Sequence, residues 1–461
     1  MIETKKEKQA KRVYLETYGC QMNEYDSELV KSILANSDYE ITTREEDADV
    51  ILLNTCAIRE NAHDKIYARL GDLKHLKNSG NRVVIGLLGC MAQNLRGNLE
   101  RSDSVVDIYA GPDSYKRLPA MIDSVRQTGR KGFDFNLSEF EDYSDVYPKR
   151  VPGVNAWIAV MRGCDNFCTF CVVPYTRGRE RSRSLQSVVS EAKRLVSEGF
   201  KQVTLLGQNV NSYRSHHDDF ADLMAAVASV DGLERVRFTS PHPKDFPEKL
   251  LKVMAEHAKI CNHVHLPLQA GSDRVLEMMA RTYTKKSFLA LVDKIRDMVP
   301  GVTLTTDVIV GFPTETDAEF EETVEVMEKV QFDSAFTFKY SERQNTIAYR
   351  KFPDDVTEAQ KTERIVRLVE LQKEHSLHRN YEQIGKTVKV LIENHSKRNV
   401  EEWMGRTDGN RIVVLKDDKG GHVEGSMVDV TIRDATPHTL FGELHDACCS
   451  LHPQPERQIA V

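Results

Sequence analysis

Between Arg12 and Val125 the chain repeats one pattern: a short apolar run, then a stretch with apolar positions at helical spacing. The apolar runs are 12–18, 49–54, 82–88 and 105–109, and helical periodicity follows at about 24–36, 58–78, 91–100 and 113–125. Near-continuous apolar strands alternating with helices predict a parallel sheet covered on both faces. Residues 128–153 mix Gly129, Gly132, Pro148, Pro152 and Gly153 with acids and scattered aromatics, which predicts a linker. Alternation resumes over 154–375, with strand candidates at 156–161, 202–206, 235–240, 263–267, 302–310 and 335–340. Six βα units predict an open partial barrel whose chemistry lies on loops at the carboxyl ends of the strands. From 378 to 446 the period drops to two, as at Val388, Val390, Ile392 and at Val428, Val430, Ile432. Asp408-Gly409 reads as a hairpin turn between 403–407 and 411–415. This predicts a small all-β barrel of a kind that often binds RNA, with a structural cap as the alternative. The expected α/β architecture is therefore an N-terminal domain over 1–127, a linker over 128–153, a partial barrel over 154–375, a β-barrel over 378–446 and a tail over 450–461.

Bulk properties narrow the classes. The 461 residues exceed one ordinary core. No apolar run approaches the ~20 residues of a membrane span. The opening Met-Ile-Glu-Thr-Lys-Lys-Glu-Lys lacks the apolar core of a secretion signal, so a cytoplasmic protein is expected. A net charge of −7 argues against nucleic-acid binding by bulk charge and leaves only local basic patches. In a reducing compartment, nine cysteines read as metal ligands or free thiols rather than disulfides.

Three of them, Cys164, Cys168 and Cys171, stand in the spacing C-x3-C-x2-C directly after the first barrel strand. Three thiolates this close can hold three irons of a [4Fe–4S] cube and leave the fourth open to a small molecule. A zinc knuckle is the competing reading, but structural zinc wants four ligands and no fourth Cys or His lies nearby. Cys20, Cys56 and Cys90 each follow the end of a predicted strand in the first domain. The carboxyl edge of an open α/β sheet is where ligands bind, so these three are expected to converge on a second cluster of the same kind, with three unrelated buried cysteines as the alternative. Cys261, Cys448 and Cys449 fit neither set. Arg162, Arg177, Arg179, Arg181 and Arg183 form a basic run beside the first cysteine loop, a candidate RNA contact, with an internally paired face as the alternative.

The C-x3-C-x2-C spacing is the signature of radical S-adenosylmethionine (SAM) enzymes, and longer motifs extend the likeness. Thr17-Tyr-Gly-Cys-Gln-Met-Asn-Glu-Tyr-Asp-Ser27, Asn54-Thr-Cys-Ala-Ile-Arg-Glu60 and Gly89-Cys-Met-Ala-Gln93 resemble the three cysteine motifs of the radical-SAM methylthiotransferases. Val172–Arg183, Leu205–Val210, His265–Ser272 and Asp307–Pro313 fit the same family, and the β-barrel resembles its TRAM domain. Residues 19–23 and 56–60 are most similar to the branch that modifies isopentenyl-adenosine in tRNA. Two loops depart from the pattern: Ala270 stands where Ser is commoner, and Ser341-Glu-Arg-Gln-Asn-Thr346 replaces a Pro-Gly turn.

The resemblance implies two [4Fe–4S] clusters, SAM as both methyl donor and source of a deoxyadenosyl radical, and methylthiolation of the adenine at carbon 2. Cys164, Cys168 and Cys171 would hold the SAM-cleaving cluster, and Cys20, Cys56 and Cys90 the sulfur-carrying one. It also implies a SAM pocket drawn from Phe170, Gly207, Gln208, Asn209, Gln269, Ser272 and Asp307, each alternatively a support of the fold. The expected partners are a tRNA anticodon stem-loop, an electron donor and a sulfur donor, acting on a monomer. The competing substrates are another modified adenosine or a ribosomal-protein aspartate. A two-cluster electron carrier and a zinc-bearing RNA-binding module are the rivals from other classes.

Overall fold

The computed structural model describes residues 11–57, 60–78, 83–96, 105–416 and 422–445. Cys448, Cys449 and the expected tail lie outside the described residues.

The first domain is a six-stranded parallel sheet of β1 (Lys11–Tyr18), β2 (Tyr39–Ile41), β3 (Val50–Thr55), β4 (Val84–Gly89), β5 (Ile108–Ala110) and β6 (Gly132–Asp134), in the order β2-β1-β3-β4-β5-β6. All six residues of β3 and of β4 are buried, as expected of strands with helices on both faces. The strand order reverses between β1 and β3, and in such sheets that switch point opens a crevice at the carboxyl ends. Helix α1 (Gln21–Ala35) starts at the end of β1, α2 (Glu60–Asn78) follows β3, and α3 (Cys90–Asn94) starts directly on β4. The stretch expected as a linker contributes more than a connection. It supplies β6 to the sheet and a fully buried Tyr143, whose hydroxyl donates to the Pro112 carbonyl (2.9 Å).

The partial barrel carries six parallel strands: β7 (Asn155–Ala159), β10 (Gln202–Leu206), β13 (Arg235–Phe238), β14 (His263–His265), β15 (Thr303–Val310) and β16 (Ser334–Lys339). The first three pair as β13-β10-β7, the last three as β14-β15-β16, and a single Val236–Ile260 bridge joins the halves. Between them lie four two-residue strands in two antiparallel pairs: β8 (Met161–Arg162) with β9 (Arg181–Ser182), and β11 (Arg214–Ser215) with β12 (Asp218–Asp219). Ser184, Asp219, Thr284 and Thr316 cap the flanking helices by accepting from the backbone N–H three residues on, each cap worth about 1 kcal/mol. The helix Glu358–Tyr381 then packs along β16, where Gln372 and Ser376 donate to the carbonyls of Phe332 and Asp333 (2.7 and 2.8 Å).

Five strands, β17 (Thr387–His395), β18 (Glu402–Thr407), β19 (Ile412–Lys416), β20 (Met427–Ala435) and β21 (Leu440–Leu444), close a barrel in the order β17-β18-β19-β21-β20. The Asp408-Gly409 turn does form between β18 and β19, and it is also the docking point onto the larger domain. Arg237 donates to the carbonyls of Thr407 (2.6 Å) and Asp408 (2.7 Å), and Arg235 to those of Arg406 and Lys389 (2.5 and 2.9 Å). These contacts sit at the amino ends of the partial-barrel strands, opposite the cysteine loops. Hydrogen bonds from a charged donor contribute about 1.5–3 kcal/mol each. Arg237→Ala is therefore expected to loosen the hairpin, speeding amide hydrogen exchange in β18 and β19 by at least about tenfold, equivalent to 1.4 kcal/mol. Unchanged exchange there would show that other contacts hold the barrel.

Candidate active site

The three cysteines of the first domain come together because of the buried polar residues in their own motifs. The Asn23 side chain accepts from the backbone N–H of Cys20 (3.4 Å) and donates to Asn54 Oδ1 and the Thr55 carbonyl (both 3.3 Å). Asn54 in turn donates to the Asn23 carbonyl and to Ser27 Oγ (both 2.9 Å), and Ser27 bonds Thr17 (2.7 Å). Thr55 donates its hydroxyl to the Leu88 carbonyl (2.7 Å), which ties the end of β3 to the end of β4. Gly89 completes the arrangement at φ +87°. A Cβ there would lie 2.6 Å from Asn54 Oδ1, so only glycine fits. Cys56 and Cys90 are buried and Cys20 half-buried. A hydrogen bond with Cys56 holds the Cys20 thiol down to about 6, with help from the nearby Arg177 charge, while burial pushes Cys90 up.

The second set lies on one loop. Gly163 opens it at φ +79°, packed so tightly that a Cβ would meet the Arg179 carbonyl at 2.0 Å. Thr169, between Cys168 and Cys171, fastens the loop by two bonds: its N–H donates to the Met279 carbonyl (3.0 Å) and its hydroxyl to that of Met278 (2.8 Å). Arg281 donates to Cys168 Sγ (3.3 Å). Burial raises Cys164 to about 11 and Cys171 to about 12, so both are thiols at neutral pH and give up protons when they ligate iron. The two sets meet. Cys90 packs with Ala57 against Val172, the residue after Cys171.

Among the described residues, no three His, Cys, Asp or Glu side chains converge tightly enough for a single metal ion. Ligands that each bind a different iron of a cube stand farther apart. The donor chemistry also fits a cluster. Each triad is all thiol, and each has a guanidinium against one sulfur, Arg281 at Cys168 and Arg177 Nε at Cys90 (3.2 Å). Arg177 Nη1 is buried with no acceptor among the described residues, as suits a neighbour rich in sulfur acceptors.

The arginine run requires a correction as an RNA contact. Arg162, Arg177, Arg181 and Arg183 are all buried. Arg162 and Arg177 both donate to Asp26 (2.7 and 2.8 Å), a fully buried carboxylate on α1. Arg181 grips both oxygens of Asp113 (3.0 and 3.1 Å), and Arg183 reaches Glu191 (2.6 Å) and the Tyr25 hydroxyl (3.1 Å). These side chains bolt the first domain to the partial barrel and cannot reach a phosphate. Only Arg179 faces out, 66% exposed and paired with Asp165. Gly178 at φ +73° turns the chain between Arg177 and Arg179, sending the latter to solvent.

The expected SAM residues divide. Gln208, Asn209 and Gln269 each have a buried side-chain oxygen with no donor among the described residues. Three such acceptors suit a ligand carrying ammonium and hydroxyl donors. The Asn209 amide donates to Asp245 (3.1 Å). Gly207 is packed on Met161 and Val210, and Phe170 packs against the main core. Ser272 is buried and donates to Glu319 (3.3 Å), which makes it a support of the fold. Asp307 pairs with His265 (3.2 Å), and His265 bonds Thr305 (3.0 Å), giving a polar line on the inner face of β14 and β15. The motif reading missed Glu180. Its carboxylate accepts from the Asp165 N–H (3.2 Å) and the Ser212 hydroxyl (2.7 Å), tying the first cysteine loop to the turn after β10. It also missed Arg281. A charged residue inside Val172–Arg183 and an arginine in a Met-rich apolar stretch were the available signals.

A three-cysteine loop on a partial barrel, facing a second cysteine triad on an α/β sheet, defines a radical SAM enzyme with an accessory cysteine-bearing domain. Three family profiles match the chain: the Radical SAM superfamily over 158–327, the Uncharacterized protein family UPF0004 over 12–111 and the TRAM domain over 382–445. A tRNA-2-methylthio-N(6)-dimethylallyladenosine synthase of Porphyromonas gingivalis is 47% identical over 446 residues, covering 95% of this chain and 96% of the relative. Proteins of the same name from Chloroherpeton thalassium and Bacteroides fragilis are 46% and 43% identical, each over 94% of this chain and 96% and 95% of their own. The chain belongs to the family of these synthases. Among solved structures, the radical SAM methyltransferase TsrM of Kitasatospora setae superposes with a TM-score of 0.54 at 16% identity, covering 74% of this chain and 77% of that one. The cobalamin-dependent radical SAM enzyme OxsB gives 0.52 at 13% identity, over 79% and 62%. Both likenesses show the fold alone. No helix among the described residues is long and apolar enough to cross a membrane.

Proposed function

We propose that the protein replaces the hydrogen at carbon 2 of isopentenyl-adenosine, next to the anticodon of tRNA, with a methylthio group, using SAM as both radical source and methyl donor. The observation that carries this reading is the meeting of the two cysteine triads, Cys90 against Val172, in a chain of this family. Two [4Fe–4S] clusters and SAM would supply the radical and sulfur chemistry, which acid–base side chains cannot perform at an unactivated ring carbon. Cys164, Cys168 and Cys171 are the ligands of one cluster and Cys20, Cys56 and Cys90 of the other. Arg281 and Arg177 each place a positive charge against a ligand sulfur. The unpaired oxygens of Gln208, Asn209 and Gln269 would accept from SAM's donors.

The inner face of the partial barrel suits the substrate's prenyl group. Phe336 and Phe338 are exposed, and they stand in register with Asp307 and Ile309 on β15. Phe336 also meets His265 edge-on (6.2 Å between ring centres). Burying a five-carbon group is worth up to about 4 kcal/mol, at about 0.8 kcal/mol per carbon. Methylthiolation of tRNA lacking the isopentenyl group is thus expected to be at least about tenfold less efficient. Anaerobic assay with SAM, a reductant and the two tRNAs, followed by nucleoside mass spectrometry, measures this directly. Equal turnover of both would point to a less selective enzyme. The β-barrel offers further RNA-facing chemistry, with Trp403 stacked on His395 (3.8 Å) beside the exposed Lys397 and Arg398.

A further inference from the structure

With four of the five arginines of the run committed to the domain interface and only Arg179 facing out, other basic residues are needed to hold the RNA near the reacting base. A cleft of about 400 Å³ opens where α3, the helix Val173–Arg177 and the segment 344–350 come together. Gln93, Asn94 and Arg96 line one side, directly following Cys90 in the chain. Tyr175 lines a second, four residues after Cys171, and Asn345, Tyr349 and Arg350 form the third. This third wall is fixed to both cysteine-bearing elements. The Ala348 N–H donates to the carbonyl of Thr169, inside the first cysteine loop (2.7 Å), and the Asn345 amide donates to the carbonyl and side-chain oxygens of Asn94 (3.0 and 3.2 Å). Asn345 takes φ +73°, a conformation that asparagine tolerates better than most residues. The Ser341–Thr346 departure from the family turn therefore builds a wall of the cleft.

The lining has the chemistry of a nucleotide site. Arg96 and Arg350 are both exposed, and neither has a carboxylate partner among the described residues; Arg350 donates only to the Thr346 carbonyl (3.3 Å). Two unneutralised guanidiniums in one cleft of a chain with net charge −7 call for anions. Tyr349 is 44% exposed and Tyr175 partly so, and exposed phenol rings are platforms for unstacked bases.

We propose that this cleft binds the anticodon-loop nucleotides next to the target adenosine, with Arg96 and Arg350 on their phosphates and Tyr175 and Tyr349 stacking on their bases. The inference rests on the proposed function. Its walls run on from Cys90 and Cys171 in the chain, so a nucleotide flipped out of the loop can enter beside the reaction centre while its neighbours stay held. The test uses the cluster-loaded full chain and an isopentenylated anticodon stem-loop RNA, with binding followed by fluorescence anisotropy across salt concentrations. Arg96→Ala/Arg350→Ala is expected to weaken binding at least about tenfold and to lower the salt slope by about 1.4, two single-strand phosphates' worth. Tyr349→Ala is expected to weaken binding about fivefold or more with the slope unchanged, and Arg350→Lys to recover most of the slope. Iron content and melting temperature equal to wild type establish that each variant is folded. Folded variants that bind RNA with wild-type affinity and slope overturn the proposal. So does a double variant that keeps RNA affinity while losing affinity for SAM, which would make the cleft a SAM site. A wild-type protein that binds the RNA but fails to methylthiolate it would refute the proposed function and leave the cleft assignment standing on its binding data.

Discussion

Asp26→Ala is expected to unlock the interface between the two cysteine-bearing domains. The Asp26 carboxylate is fully buried and accepts from Arg162, Arg177 and the Tyr115 hydroxyl (2.7, 2.8 and 3.3 Å). Removing it leaves two buried guanidiniums without their counter-charge. Deleting one partner of a buried pair costs about 3–5 kcal/mol, because the remaining charge can neither reach water nor find another partner. The effect extends to the chemistry. Arg177 spans Asp26 and Cys90, so its release frees the charge that stands 3.2 Å from that sulfur. The variant is expected to melt several degrees below the wild type under anaerobic conditions and to retain less iron in the first domain's site. Asp26→Asn, which keeps the shape and one of the two accepting oxygens, is expected to lose less. An Asp26→Ala protein that melts with the wild type would show that the domains are held by packing alone.

The second large effect separates the two cysteine sets. Cys164→Ala is expected to lower iron by about half, the share of one of two clusters, and to abolish deoxyadenosine formation. Cys20→Ala is expected to lower iron by the same share while SAM cleavage remains measurable and methylthiolated product disappears. The structural basis is separate support. Cys20, Cys56 and Cys90 are held by Asn23, Asn54 and Thr55 on one sheet edge, whereas Cys164, Cys168 and Cys171 lie on a loop fastened at Met278 and Met279. Loss of all iron in Cys20→Ala would show that neither site forms without the other. The experiment must compare the Arg177-containing interface intact, since Cys90 lies within reach of both domains.

A chain cut near Glu374, inside the helix Glu358–Tyr381, to remove the β-barrel would be a poor probe of RNA binding. Cutting there removes the carbonyls of Lys389, Arg406, Thr407 and Asp408, and it leaves Arg235 and Arg237 without four of their acceptors. Point substitutions on the outer faces avoid that damage.

What the sequence determined by itself is the local and the periodic. Apolar runs of five to nine residues separated by helical spacing marked β1, β3, β4 and β5 and all six strands of the partial barrel, most clearly β3 and β4, where burial on two faces leaves little room for polar positions. The three cysteines of the first domain could be placed at one sheet edge without coordinates, since strands of a parallel sheet all end on the same side. Their meeting follows from topology, not from sequence distance. Short, weakly patterned strands such as β2 and β6 were illegible, and 128–153 read as a linker although β6 and Tyr143 belong to the first domain. What only the tertiary structure decided is where charge goes. Arg162, Arg177, Arg181 and Arg183 look like a solvent-facing phosphate grip when read along the chain, because their partners Asp26, Asp113 and Tyr25 lie in another domain. Nothing local marks Asp26 as buried, since its place inside the protein is created by Arg162 and Arg177, 136 and 151 residues away. The same long-range assembly brings Arg96 and Arg350 to one cleft. A sequence states which charges exist, but only the fold states which of them are neutralised and which remain to meet a ligand.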